Sequence, residues 1–211
     1  MTEYQNIILK NSKEICSALE RGADYWLNHA DAVATINRTY AGDVKAAELE
    51  SEESAFLAKM NPCVRNMQTA LDAISDYKGD AGVNLLDPAM STACTIMSHS
   101  VGLPIDALMN IVADFIGNKQ AQAVLIGMAT EVQRPVLARY IEKPYNCLAD
   151  AQRALGTLTV SPEAAFITAG VKLRESVNAL CAAANVPLED ERSSNWNEIR
   201  VRGMSHMIGL V

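Results

Sequence analysis

Ser98-His99-Ser100 is the nearest this chain comes to a nucleophile beside a base. Acyl transfer by such a pair needs the imidazole to take the hydroxyl proton, and residues one apart on a helix do not face each other, so the spacing predicts no catalysis there. Cys94 and His99 stand five residues apart without a second pair of ligand types nearby, which predicts no zinc site. A carboxylate-bridged metal in a helical bundle needs Glu-x-x-His on two helices, and no Glu lies three residues before His29, His99 or His206. The chain also lacks G-x-x-x-x-G-K-[ST], G-x-G-x-x-G, G-x-S-x-G and H-E-x-x-H, the patterns that cradle phosphates or build hydrolytic centres. The expectation is a protein that is not an enzyme, with no catalytic, metal or cofactor-binding residues.

What remains is the chemistry of association. Glu48, Glu50, Glu52 and Glu53 form an acidic run, readable as a solvated helix face or as a docking face for a basic partner. Near the other end Trp196, Ile199, Arg200 and Arg202 alternate apolar and cationic types. The segment from Gly203 to Val211 then carries no Lys, Arg or carboxylate side chain. Apolar termini are normally held by contacts, so Trp196, Ile199, Arg200, Arg202, Met204, Met207, Ile208, Leu210 and Val211 are the candidate partner-binding residues. The methionines at 60, 67, 90, 97, 109 and 128 could line an adaptable groove, but in a chain poor in aromatics they are expected to fill core gaps.

These residues must be positioned by helices. Hydrophobic residues make up 49% of the 211 but aromatics only 5%, a balance that favours helix packing over pleated sheets. Ile7, Ile8, Ile15 and Leu19 mark a first amphipathic helix over 3–20, punctuated by Gly22. Trp26, His29, Val33, Ile36, Tyr40, Val44 and Ala47 then step by three and four, the spacing of a helical seam. A helix from 23 to Met60 would extend about 57 Å at ~1.5 Å per residue, long enough to project or to lie across a neighbour. Pro62 fits the first turn of the next helix. Between Gly82 and Thr130 only Asp87, Asp106, Asp114 and Lys119 are charged, which predicts heavy burial. Asp87-Pro88, Pro104, Pro135, Pro144 and Ser161-Pro162-Glu163 read as helix starts, while Gly102, Gly117-Asn118, Gly156 and Asn185 with Pro187 read as stops. Strand, if present, is confined to a few residues near Ile199 to Arg202.

The predicted fold is all-α: an N-terminal helical arm (1–79), a bundle of short helices (83–188) and an apolar docking tail (189–211). A net charge of −7 argues against a nucleic-acid partner, which requires a dense basic face. The run from Pro88 to Ile105 contains too many polar residues, with Gly102 and Pro104, for a membrane span. Five scattered cysteines, none in C-x-x-C spacing, are expected to be buried and reduced. Glu3, Asn6 and Lys10 interrupt any secretory signal at the start, so the chain is expected not to be secreted.

Tyr40 to Lys59, Leu71-Asp-Ala-Ile74, and Leu103-Pro-Ile-Asp-Ala-Leu108 through Phe115-Ile-Gly-Asn-Lys-Gln120 give a charged long-helix arm, a glycine-containing loop and a compact bundle. That layout resembles the small helical proteins encoded among the head and structural genes of tailed bacteriophages. The resemblance covers about two thirds of the chain by layout and carries no site residues. It implies a non-enzymatic assembly protein, located in a virion or a host cytoplasm, whose partners are itself or other virion proteins. The alternative from the residues is a cytoplasmic helical adaptor that binds a protein through the acidic arm; an enzyme using a cysteine or a pocket in the bundle ranks third.

Overall fold

The computed structural model describes residues 1–77, 83–188 and Val201, and seven helices run through the first two of these stretches: α1 Glu3–Thr39, α2 Gly42–Ser75, α3 Pro88–Ser98, α4 Ile105–Ala113, α5 Lys119–Met128, α6 Arg134–Val160 and α7 Pro162–Ala183. There is no strand among the described residues, so the all-α class is observed. Of the strand considered near Ile199 to Arg202, only Val201 is described, and it is helical.

Helix α1 starts at a capping box in which Thr2 and Gln5 satisfy each other's backbone N–H groups. It does not stop at Gly22. A Cβ there would lie 3.0 Å from two ring carbons of Phe166 and 3.3 Å from the Met60 sulfur, so this glycine allows close packing instead of making a turn. The break comes later, at Tyr40 and Ala41, both extended, before Gly42 with φ +60°.

The expected arm of 23–60 is therefore two helices folded back on each other. Tyr4 stacks on Tyr77, Gly22 faces Met60, and His29 faces Glu52 and Phe56, which fixes an antiparallel hairpin of α1 and α2. Folding back buries Phe56, Met60, Val64, Met67 and Leu71, which an extended arm would leave in water. Trp26 and Ile36 keep the buried seam, whereas Tyr40 and Val44 are exposed at the turn. Pro62 and Pro144 lie inside α2 and α6 rather than starting helices, and Gly156 lies inside α6. An internal proline costs about 3 kcal/mol; the buried neighbours Met60 and Cys63, and the burial of Pro144 itself, offset it through packing. Pro135 sits in the first turn of α6, where its missing N–H matters least.

Two apolar cores result. The larger joins α1, α2, α7 and α6 from Leu148 onward, around Ile8, Ile15, Leu19, Met60, Met67, Leu155, Phe166 and Leu173. The smaller joins α3, α4, α5 and the start of α6 through Met90, Met97, Leu108, Val112, Leu125 and Leu137. Four of the methionines thus fill cores as expected, while Met128 is exposed. Packing cuts across a boundary between 1–79 and 83–188, because α6 belongs to both cores and Ile116 reaches from the turn after α4 into the larger one.

Candidate functional site

The stretch between Gly82 and Thr130 is not heavily buried. A nine-residue core is enough to hold three short helices in place but not to cover them, so apolar side chains face outward. Of thirteen exposed large hydrophobic residues among those described, eight lie between Leu85 and Val136. Leu86, Val101 and Val132 are 90%, 83% and 82% exposed. The turns that carry the last two meet: the Gln133 side-chain amide donates to the Ser100 carbonyl at 3.1 Å, joining the turn after α3 to the turn after α5. Arg134 fastens the second turn by donating to the carbonyls of Ala129 and Gly127, both at 2.9 Å. Val101 and Leu103 thus stand on one turn and Val132 on the other, the two tied by a hydrogen bond, with the exposed Glu131 and Arg134 close to Val132 in the chain.

The tail residues predicted to bind a partner, Trp196, Ile199, Arg200, Arg202, Met204, Met207, Ile208, Leu210 and Val211, lie outside the described residues. The acidic run divides. Glu48, Glu50 and Glu53 are exposed on α2, but Glu52 turns inward to His29.

His29 is only 4% exposed, its ring stacked on Phe56 at 4.3 Å with Nδ1 3.2 Å from Glu52 Oε1. Its Nε2 lies 3.5 Å from Glu163 Oε1, an ion-pair distance without hydrogen-bond geometry. The Trp26 indole N–H donates to the Glu163 carbonyl at 2.7 Å. The Trp26 indole on α1 therefore ties the first turn of α7 to the hairpin, with the His29 imidazole packed between Glu52 and Glu163. The sequence places His29 only as one position of the helical seam, and that position is itself the signal that it points inward.

Ser98 and His99 do approach: Oγ and Nδ1 are 3.1 Å apart, because His99 has left helical geometry as the C-cap of α3. Both groups, however, are within bonding distance of the Thr95 carbonyl, Oγ at 2.8 Å and Nδ1 at 2.9 Å. A carbonyl accepts only, so Nδ1 carries a proton there and cannot serve as the base for Oγ. Among the described residues no three His, Cys, Asp or Glu side chains gather as a metal site, and no helix is long and apolar enough to cross a membrane.

A cavity of about 370 Å³ lies where the two cores meet, lined by Tyr4, Tyr77, Gly117, Lys119, Tyr145 and Leu148 among others. Its one cation is engaged, the Lys119 ammonium sitting 4.2 Å above the Tyr145 ring. No cysteine lines it.

All five cysteines are free thiols, Cys63 and Cys181 buried and Cys16, Cys94 and Cys147 half-buried. Burial pushes the Cys63, Cys147 and Cys181 thiols above their ordinary value of 9.0, and burial likewise raises Tyr4 and Tyr145 above 10.0. Above pH 9 the unfolded chain loses these protons while the folded chain keeps them, so the folded state binds more protons and its stability falls as pH rises. Urea midpoints measured under reducing conditions at pH 7 and pH 10 should drop accordingly. Replacing Cys63 and Cys181 with Ala should shrink that drop, and an unchanged drop would remove these thiols as its cause.

Comparison with protein-family models, characterised proteins and solved structures finds no match to this chain.

Proposed function

We propose that this chain is a non-enzymatic assembly protein, an accessory structural component of a tailed-bacteriophage head that binds copies of itself or other virion proteins. The observation that carries the reading is the exposure of Val101, Leu103 and Val132 on two turns that a hydrogen bond ties together beside the smaller core. Water-facing aliphatic groups on a preformed surface lose little entropy on docking, so their burial converts into affinity. The layout resemblance to phage head-region proteins supplies the setting. An adaptor reading retains the exposed Glu48, Glu50 and Glu53, but with Glu52 turned inward its acidic face is the weaker surface.

The test is association of the native chain by sedimentation, alongside incorporation into particles when phage head proteins are co-expressed. Val101→Glu with Val132→Glu changes side chains already in water, so helicity should hold while association weakens at least about tenfold, given ~1.5 kcal/mol or more per buried aliphatic group. Deleting residues 203–211 should likewise preserve helicity and weaken association. A native chain that stays monomeric at high micromolar concentration and is excluded from particles would end the proposal.

A further inference from the structure

The exit of the chain from α7 is fixed in direction. Asn185 takes the left-handed conformation at φ +54°, its N–H bonds the Ala182 carbonyl, and the Val186 N–H reaches the Cys181 carbonyl at 2.8 Å. This is a Schellman stop, and Pro187 follows it. Because α7 returns antiparallel to α6 after Ser161, the chain leaves toward the beginning of α6, and the Asn185 amide donates to the Tyr140 hydroxyl at 3.3 Å.

Tyr140 belongs to a groove of about 510 Å³ lined by Met109, Pro135, Val136, Arg139, Tyr140 and Lys143. Arg139 and Lys143 are one helical turn apart, so they share a face. Neither is ion-paired with a carboxylate among the described residues. The sequence that continues past Leu188 is Glu189-Asp190-Glu191-Arg192-Ser-Ser-Asn-Trp196. Three carboxylates thus begin four residues beyond a contact with Tyr140, a reach of at most ~14 Å, and an indole follows within one more short span.

We propose that the groove on α6 is the docking site for residues 189–196 of the same chain. The carboxylates of Glu189, Asp190 and Glu191 meet Arg139 and Lys143, and the Trp196 indole covers Met109, Pro135 and Val136. Tethering supplies an effective concentration in the millimolar range, so two partly screened ion pairs and one aromatic contact suffice to seat the segment. The inference stands whether or not the chain assembles. If it does, a seated Trp196 sets the point from which residues 203–211 depart.

The experiment uses the full chain at low micromolar concentration. Carbodiimide cross-linking followed by mass spectrometry of the monomer fraction should join Lys143 to residues 189–191. Limited trypsin digestion should cut slowly after Arg192 in the native chain and about tenfold faster in Arg139→Glu/Lys143→Glu, whose altered side chains are exposed and leave the far-ultraviolet spectrum unchanged. Adding Glu189→Lys and Glu191→Lys to that variant should restore carbodiimide cross-links between positions 139 or 143 and 189 or 191, with amine and carboxylate now exchanged. Equal cutting rates in native and reversed chains, failure of the restored variant, or cross-links found only between copies would each overturn the proposal.

Discussion

Phe166→Ala is expected to destabilise the fold by about 3–5 kcal/mol, the usual range for removing a buried aromatic ring. The ring is fully buried, and its edge lies where a Cβ on Gly22 would come within 3.0 Å, next to the Met60 sulfur. One side chain of α7 thus packs where Gly22 of α1 faces Met60 of α2, and its loss leaves a void that three helices would have to move to close. Against a total stability of roughly 5–15 kcal/mol this is a large fraction, visible as a lower urea midpoint at unchanged slope. The same contact makes a sharper test. Gly22→Ala needs the ring to give way in the native chain, whereas beside Phe166→Leu the added methyl enters vacated space. The double mutant should therefore be more stable than the sum of the singles by about 0.5–3 kcal/mol. Additivity within the error of the cycle would show that the two residues do not meet.

Local signals in the sequence located helix ends well where one residue type decides the outcome. Asp87 caps α3, Pro162 opens α7, and Asn185 with Pro187 closes it, because caps and stops are settled by the nearest few backbone groups. The same rules misplaced Gly22, Pro62 and Pro144, where tertiary packing outweighs backbone preference. The fold-back at Tyr40 and Ala41 was illegible for a related reason: one seam fits a long helix or a hairpin, and only the second buries Phe56 and Met60 against α1 and α7. Burial of the low-charge stretch was overestimated because low charge says what surface a segment can bury, not whether enough partner surface exists to cover it. The smaller core is too small for that, and Leu86, Val101 and Val132 face water. The pairing of His29 with Glu52 and Glu163 joins residues distant in sequence, so periodicity placed the imidazole inward but could not name its partners.

Gly117→Ala is expected to cost about 2–5 kcal/mol, combining ~1–2 for a left-handed backbone with ~1–3 for overpacking. Gly117 has φ +94°, and a Cβ there would stand 2.8 Å from the Cβ and Cγ of Tyr4 and 2.9 Å from Tyr77 Cε1. Neither tyrosine has an easy escape: Tyr4 is buried, and the two rings stack with centroids 4.9 Å apart. Because atoms next to the α1 backbone are hit, relief must come from moving the turn between α4 and α5, which pulls Ile116 out of the larger core. Gly102 separates the two contributions. It has φ +85° with nothing within 4 Å of a Cβ, so Gly102→Ala carries the backbone cost alone and should lose only ~1–2 kcal/mol. Amide exchange should divide the variants further, Gly117→Ala speeding exchange in α4 and α5 more than in α1 and α2, as the turn that ties the smaller core to the larger one is forced away. Equal losses for the two glycine variants would mean that the Tyr4 contact yields freely. The joint between the cores would then rest on α6 alone.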